Sequence, residues 1–580
     1  MLKKYKKILL TFLGALSALS IVFLPAYINK SYSETKDVWL NYTVPSSYSD
    51  FDNYEFWYGY SKTYANIEHS LTDIGIANIN NIIAQVDAGL GTSDPIIINS
   101  AEELAGLSLL SNCVDTYLYY CDLSYALSSD INLGGRRWIP IGTEYDFTGD
   151  FNGNNHIISG LTINNATATY QGLFGHLSGF SSDYSEIDNV IIENAYINSG
   201  GFTGAIVGDC TYTILTDCHS IGSGAIVGTN VVIGGLVGEA KENTRLDSCS
   251  NAIDVKGLSS FVGGLVGNWK GRSISSTAFD IDNCYNVGSV TSGADGAGGL
   301  IGSFNVLANG TISKISNSYN SGTIKAGTSG EYNNVAGIVY YNNFNGGTNL
   351  IIENCHNVGS IYGKMYTAGL ISIRSGLSIP LTVIKSYNTG DIISPTASSS
   401  TGFNAGLVAC SSGTNTISIT ESFNAGNVTN LATEAGAGHG IAGILSNAVS
   451  GTTITNCYNT GIITGDINVA GILGYSTYSA NISYCYNAGT INAINHYAGG
   501  IVGQATNDIL NNVYNTGTIN TGISGGGGSN TGGLIGYSLD NITLRNAYNT
   551  GNIIVDATAT SRTNIGGLIG QVKKSITVQY

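Results

Sequence analysis

Few residues of this 580-residue chain stand in patterns that perform catalysis. The sequence contains no H-E-x-x-H metalloprotease helix, no G-x-S-x-G nucleophile turn and no phosphate-binding P-loop. His439 lies among glycines in GAGHGIAG without an acid or base beside it, and His356 replaces a tyrosine of a repeated phrase. We therefore predict no catalytic residue among the seven histidines, which are His69, His156, His176, His219, His356, His439 and His496.

Paired carboxylates hydrolyse polysaccharides, and clustered carboxylates bind calcium. Here the acids are scattered along the chain, for example at Asp466, Asp508 and Asp540. Asp280 and Asp282 could bind calcium, but we interpret them as solvated turn residues, and the G-G-x-G-x-D calcium repeat is absent. The sequence thus predicts no metal site and no cofactor. Three or more charged side chains that converge in a groove would instead favour a polysaccharide-active enzyme.

Five of the ten cysteines share one position of a repeat, just before its aromatic residue. A position that accepts Cys, Ser, Ala or Val is a small slot facing the core, where a free thiol behaves as a small hydrophobe. The copies carry Cys249, Cys284, Cys355, Cys457 or Cys485, and elsewhere Ser318, Ser386, Ser422, Val513 or Ala547.

Disulfides stay open as an alternative, because oxidation is usual outside the cell and spacing in sequence does not settle pairing. A zinc site is not expected, since no C-x-x-C pair occurs. The pairs that spacing allows are Cys113 with Cys121, Cys210 with Cys218, and Cys457 with Cys485.

The repeat that holds these cysteines is the main feature of the chain. It reads NCYNVGSV at Asn283–Val290, NSYNSGTI at Asn317–Ile324 and NCHNVGSI at Asn354–Ile361. A repeat with a period of about 20–50 residues indicates a solenoid, a propeller or an array. Its second asparagine recurs every 28 to 37 residues, at Asn251, Asn286, Asn320, Asn357, Asn388, Asn424, Asn459, Asn487, Asn515 and Asn549.

A second phrase alternates with the first. It reads GGLVG at Gly234–Gly238 and Gly263–Gly267, and GGLIG at Gly298–Gly302 and Gly566–Gly570. These residues resemble the GLUG motif, a repeat of large exported bacterial surface proteins that also occurs in IgA-protease-like proteins. The resemblance covers roughly residues 170–580; it implies a repeat region and is not specific for any activity. No peptidase domain accompanies it here.

The repeats alternate apolar and polar residues rich in Ile, Thr, Tyr and Val, which is typical of short strands. We assign the turns to Asn-x-Gly, because Asn and Gly tolerate positive φ. The predicted fold is all-β, a right-handed parallel β-helix (β-solenoid) of about eleven repeats. A β-propeller is the alternative, but propellers usually have about four to eight blades. With two coils in each repeat, the rod would be about 100 Å long.

The N-terminus resembles an export signal, residues 1–33, with basic residues before the apolar run Ile8–Leu24 and cleavage before Glu34. An uncleaved membrane anchor is the alternative. The basic residues are Lys3, Lys4, Lys6 and Lys7.

Two further segments precede the repeats. Residues 34–93 are an aromatic-rich leader, interpreted as a small packed unit although its aromatics could stack on sugars. Residues 94–170 are an N-terminal cap and the unit leading into the repeats of residues 171–580. Ser100 and Glu103 predict a capped short helix there, of the kind that shields the end of a solenoid. The leader's aromatics include Trp39, Trp57, Tyr58 and Tyr60.

The formal net charge of −16 disfavours nucleic acid as a partner. We expect a non-catalytic exported protein, secreted or on the cell surface, that serves as a stalk or adhesin for an extracellular glycan or protein. It would meet a membrane only through its signal or anchor. The alternatives are an accessory region of a larger exported enzyme truncated at Tyr580, or a β-helix polysaccharide-active enzyme. Exposed aromatics along one side of the rod would favour the adhesin.

Overall fold

A computed structural model describes residues 79–113, 117–229, 232–258, 261–271, 280–294, 296–306, 312–327, 334–341, 349–373, 379–394, 402–410, 416–431 and 440–579. The expected signal, most of the aromatic leader, His69 and His439 lie outside these residues. In the described parts of the chain, no helix is both long enough and apolar enough to cross a bilayer.

Each repeat forms one coil of a parallel β-solenoid. One coil consists of the strands Asp280–Asp282, Tyr285–Asn286, Val290–Ser292, Ala297–Gly298 and Ile301–Val306. Each strand then pairs in parallel with its counterpart one repeat later, as Tyr285 with Tyr319 and Asn286 with Asn320. The fold is therefore an all-β parallel solenoid, as predicted, with about 13 turns where about eleven repeats were expected.

The premise of two coils in each repeat was wrong. Because corresponding residues of successive repeats are direct strand partners, each repeat advances the stack by one strand spacing of about 4.8 Å. About 13 turns then span about 60 Å, and not about 100 Å. Five short strands and their corners use up a whole repeat in one circuit of the core.

Four sheets run along the stack. Sheet 1 has 16 strands, from Ile96–Ile98 to Ile576–Gln579. Sheet 3 has 24 strands, from Thr162–Gln171 to Ile565–Gly566, because each repeat gives it two strands. Sheet 4 has 13 strands, from Phe174–Ser178 to Ile569–Val572.

Sheet 2 carries the repeated phrase and has 14 short strands. These are Ile131–Asn132, Ile157–Ser159, Ile191–Glu193, His219–Ile221, Ser250–Asn251, Tyr285–Asn286, Tyr319–Asn320, His356–Asn357, Tyr387–Asn388, Phe423–Asn424, Tyr458–Asn459, Tyr486–Asn487, Tyr514–Asn515 and Tyr548–Asn549.

Helices occur near the N-terminal end of the stack, at Asn80–Asp87, Ala101–Ser111 and Tyr117–Tyr120, and a 3₁₀ turn lies at Ile523–Gly525. Ser100 caps the second helix as predicted, and its side chain accepts a hydrogen bond from the Glu103 backbone N–H at 3.2 Å. In a capping box the Glu103 carboxylate would accept a hydrogen bond from the Ser100 backbone N–H. Here it accepts from the Asn99 backbone N–H instead, at 2.7 Å, one residue earlier. That this helix shields the solenoid end stays a prediction.

The assignment of the turns was also wrong in one respect. The first residue of each phrase has positive φ, for example 52° at Asn283 and 55° at Asn354, and so do Lys385, Glu421 and Tyr484 where the copy lacks an asparagine there. The second asparagine, such as Asn286, lies in a strand. The glycine that follows, Gly288, is needed for close approach, because a Cβ there would come 2.1 Å from the Ile253 carbonyl oxygen of the neighbouring coil.

Candidate functional site

Nine aromatic rings stack along sheet 2, one on each of nine successive coils. Neighbouring ring centroids are 4.7–5.0 Å apart, and the ring planes differ by 1–7°. This distance is the strand spacing itself, so parallel in-register pairing places each ring directly over the next. We call this set the aromatic ladder; it comprises Tyr285, Tyr319, His356, Tyr387, Phe423, Tyr458, Tyr486, Tyr514 and Tyr548.

A second ladder lies inside the same strands. Successive side chains of a strand point to opposite faces, so the asparagine that follows each aromatic residue points into the core, and Asn286 and Asn388 are fully buried. Each asparagine Nδ2 donates to the Oδ1 of the next coil's asparagine at 2.8–2.9 Å, in nine consecutive bonds from Asn251 to Asn549. We call these residues the asparagine ladder.

The buried amides are satisfied on both hydrogens. From Asn286 onward, the remaining Nδ2 hydrogen is donated to the glycine carbonyl two residues further on, at 2.7–3.0 Å. Buried polar groups are tolerated when they are hydrogen-bonded in this way. The asparagine ladder therefore fixes the position of each aromatic residue on the outer face, because every two-residue strand of sheet 2 from Tyr285–Asn286 onward consists of one aromatic residue and one asparagine.

The aromatic ladder presents ring edges and hydroxyls to the outside, since the ring faces cover one another. Within the described part of the chain, the hydroxyls of Tyr458, Tyr486 and Tyr514 form no hydrogen bond to another residue. Burial raises the pKa of Tyr458, Tyr486 and Tyr514 above the ordinary value, so these hydroxyls stay protonated at neutral pH. Tyr458, Tyr486 and Tyr514 thus form a row of hydroxyls that can donate and accept hydrogen bonds at the coil spacing.

His356 is the one imidazole in the aromatic ladder. It stacks between Tyr319 at 4.9 Å and Tyr387 at 4.7 Å. Burial lowers the pKa of His356 to about 4, which keeps the ring neutral at physiological pH. Its place in the stack agrees with the interpretation that it substitutes structurally for the repeat tyrosine.

The cysteine slot lies inside the solenoid. All ten cysteines are buried free thiols, so none of the pairs allowed by spacing is bonded in the structure. In the slot, the Cys249 backbone N–H donates to the Sγ of Cys284 at 3.3 Å, and the Cys284 N–H donates to the Ser318 Oγ at 3.0 Å. Sulfur and hydroxyl thus fill the same place in successive coils, which fits the interpretation of a small core position.

The acids singled out in the sequence remain apart from one another. Asp280 and Asp282 lie in the strand Asp280–Asp282 and are half-buried, so their interpretation as solvated turn residues was wrong. The Asp282 carboxylate accepts hydrogen bonds from Ser316 Oγ at 2.7 Å and from Asn317 Nδ2 at 2.8 Å on the next coil. Asp508 is fully buried and accepts from Ser476 Oγ at 2.7 Å. Burial raises the pKa of Asp508 to about 7. Among the described residues, no group of three or more His, Cys, Asp or Glu side chains could hold a metal ion.

Sequence reasoning missed one charged cluster, which lies on sheet 4. Lys241 Nζ is 2.5 Å from Asp209 Oδ2 and 3.3 Å from Glu239 Oε2, and His176 Nδ1 is 3.5 Å from Asp209 Oδ2. Asn268 Nδ2 donates to Glu239 Oε1 at 2.8 Å. Strand register explains the convergence, because Asp209 pairs with His176 on one side and with Glu239 on the other.

A signal for this cluster was present in the sequence. The residue directly after the last glycine of the second phrase is polar in four successive copies, GLFGH, GAIVGD, GGLVGE and GGLVGN. Aligning the copies places His176, Asp209, Glu239 and Asn268 in one column. The side chains of Asp209 and Glu239 are 10% and 7% exposed, and their oxygens contact Lys241 and Asn268. Asp209, Glu239, Lys241 and His176 therefore converge, and their side chains contact one another.

The coils and ladders define a class, the parallel β-solenoids with one repeat in each coil. No family model matches the chain, so the resemblance to GLUG-motif proteins stays a prediction. Halomucin from Haloquadratum walsbyi is 28% identical over 186 residues, and the match covers 30% of this chain and 2% of Halomucin. The chain thus matches a very small part of that curated relative.

A solved structure from Bacteroides ovatus, provisionally assigned as an immunoglobulin A1 protease, is 18% identical to this chain. The superposition covers 58% of this chain and 87% of the other, with a TM-score of 0.34.

Proposed function

We propose that this chain is a non-catalytic repeat protein that acts outside the cell, secreted or on the cell surface, as a stalk or adhesin. In this proposal a right-handed solenoid presents an extended face to a glycan or a protein. The observation that carries it is the aromatic ladder, nine stacked rings on one side of the stack. A row of exposed aromatics along one side is the feature that favours an adhesin; in the ladder Tyr548 is exposed and the other eight rings are half-buried.

The two ladders also suit a stalk. Each net intramolecular hydrogen bond contributes about 1 kcal/mol, and each cross-strand aromatic pair contributes about 0.2–1 kcal/mol. Both contributions recur on every coil from Asn286 to Asn549, so the stack resists local opening along its length. A stack of this kind is a rigid scaffold that keeps the groups of a binding face at fixed spacing.

An extended polymer suits this face better than a compact ligand. The hydroxyls of Tyr458, Tyr486 and Tyr514 recur at about 4.9–5.0 Å between rings, so a polymer lying parallel to the stack meets the same group on each coil. Sugars stack on aromatic faces, and those faces are covered inside the ladder. The expected contacts are therefore hydrogen bonds from polymer hydroxyls or amides to the phenol groups.

The test is a binding screen of the full chain against arrays of polysaccharides and extracellular matrix proteins. The triple variant Tyr458→Phe, Tyr486→Phe and Tyr514→Phe keeps the stack and removes three hydroxyls, and it should weaken binding at least tenfold. The control is Tyr478→Phe, which alters an exposed tyrosine outside the ladder. Undiminished binding by the triple variant would reject the ladder as the site, and recovery of the protein from the cytoplasm would reject the extracellular role.

A second candidate is a polysaccharide-active enzyme, and the charged cluster of His176, Asp209, Glu239 and Lys241 is the observation that favours it. Paired carboxylates about 5 Å apart serve retaining glycosidases. Release of reducing ends from a polysaccharide, abolished by Glu239→Gln, would support this candidate. Intact polysaccharide after prolonged incubation would reject it for the substrates used.

A further inference from the structure

Lys241 bridges two carboxylates from two neighbouring coils. Its Nζ lies 2.5 Å from Asp209 Oδ2 on the preceding coil and 3.3 Å from Glu239 Oε2 on its own strand. The Lys241 side chain is 30% exposed, whereas the side chains of Asp209 and Glu239 are 10% and 7% exposed. The amine and the Asp209 carboxyl group are thus within reach of an amide bond, in a site from which water is largely excluded.

We propose that Lys241 and Asp209 form an intramolecular isopeptide bond, with Glu239 as the residue that transfers the proton. The site is a modification site that joins two coils covalently. It is separate from the aromatic ladder and does not depend on the adhesin function.

The reaction balances without any co-reactant. The Nζ lone pair of neutral Lys241 attacks the Cγ of the protonated Asp209 carboxyl group. Glu239 accepts a proton from the nitrogen and returns it to the departing oxygen of Asp209, so the C–N bond forms, the C–O bond breaks and one water leaves. No atom is oxidised or reduced, and the chain's net charge is unchanged because one positive and one negative group are lost together.

The surroundings hold the three groups in place. Asn268 donates to Glu239 Oε1 at 2.8 Å, which leaves Oε2 directed at Lys241. His176 lies 3.5 Å from Asp209 Oδ2. Strand pairing of Val207 with Val237 and of Asp209 with Glu239 fixes the register between the two coils. A reacting pair held at contact distance gains the large rate advantage of an intramolecular reaction.

The resting state is an ion pair, which makes the bond form slowly. Desolvation raises the pKa of Asp209, but its hydrogen bond to His176 and the charge of Lys241 outweigh this effect and lower the pKa overall. The reaction therefore proceeds from the minor neutral form, and the cross-linked fraction should grow after folding.

The test is mass spectrometry of the purified full chain. The expected result is an intact mass one water lighter than that calculated for the residues of the purified chain, and a branched proteolytic peptide that contains both Asp209 and Lys241. Glu239→Gln should reduce the cross-linked fraction at least tenfold while circular dichroism shows retained β-structure. Lys241→Arg should abolish it and keep the positive charge.

A matched pair in the same chain serves as the control. Lys574 Nζ lies 2.9 Å from Asp540 Oδ2 across neighbouring coils, but the side chains are 58% and 24% exposed. Peptides with Lys574 and Asp540 should therefore be recovered separately. If Lys241 and Asp209 are also recovered in separate peptides after prolonged incubation of the wild-type chain, the proposal is overturned. Equal cross-linking in Glu239→Gln would overturn the role of Glu239.

Discussion

Asn286 lies directly against Gly264, so that a Cβ at Gly264 would fall 2.4 Å from the Asn286 Cγ. The asparagine belongs to the first repeated phrase and the glycine to the second. The same contact recurs at Gly337 with Asn357 and at Gly369 with Asn388, each at 2.5 Å. The two phrases therefore alternate in sequence because each coil places its glycine against the asparagine ladder.

Substitution of Gly337 by alanine should destabilise the solenoid. The added Cβ would lie 2.1 Å from the Gly369 carbonyl oxygen and 2.5 Å from the Asn357 Cγ, so backbone has to move. Overpacking of this kind costs about 1–3 kcal/mol, measurable as a lower urea midpoint. Gly567 is the control, because it holds the same position of the phrase and no atom lies within 4 Å of its ideal Cβ. An equal effect of the two substitutions would contradict the packing argument.

Substitution of Asn388 by alanine should break the asparagine ladder. Asn388 accepts from Asn357 Nδ2 at 2.8 Å and donates to Asn424 Oδ1 at 2.9 Å. Each buried group left without a partner costs about 1–3 kcal/mol, so the free energy of unfolding should fall by at least that amount. Asn481 is exposed and serves as the control. Asn481→Ala should change the free energy of unfolding, measured by urea titration, by less than about 0.5 kcal/mol.

His356 should make the fold less stable in acid. Its pKa is lowered to about 4 in the folded chain from the ordinary value of 6.5, because burial disfavours the charged ring. The unfolded chain therefore takes up the proton first, and stability present above pH 6.5 is lost as the pH falls towards 4, by up to about 1.4 kcal/mol per pH unit. His356→Tyr should remove this loss in urea titrations, whereas Phe423→Tyr should leave it unchanged.

Asp508 should act in the opposite direction. Burial raises its pKa from 3.8 to about 7, so the folded chain holds a proton that the unfolded chain has released. The stability is fully present below pH 3.8 and is lost as the pH rises through 7. Asp508→Asn should abolish this dependence and stabilise the fold above pH 7. A variant whose pH profile matches the wild type would show that Asp508 ionises normally in the folded state.

The thiols should be unreactive until the chain unfolds. All ten are buried, and burial raises the pKa of Cys121 and of Cys355 to about 12, so the reactive thiolate is scarce. A chromogenic disulfide reagent should label almost none in the native protein and all ten in denaturant. Fewer than ten in denaturant would show that disulfides form. Cys457→Ser should lower the free energy of unfolding only slightly, since Ser422 fills the same slot one coil earlier.

Much of the fold followed from local chemistry that repeats. Alternating apolar residues predicted strands, and the set of residues found at Cys355 and its equivalents predicted a small inward slot. The Ser100 cap was predictable because its partner is three residues away. Each of these features depends on neighbours in sequence or on comparison of copies at one position.

The tertiary structure alone decided which asparagine adopts positive φ and which is buried in the core. Asn283 and Asn286 have the same intrinsic preference for turns, and only the stack supplies Asn286 with amide partners one coil away. Likewise, Lys241 and Asp209 meet because each repeat makes one circuit of the core, and composition alone does not predict the length of that circuit. The sequence determined a stack of short strands, and the length of the circuit decided which side chains form the ladders and the charged cluster.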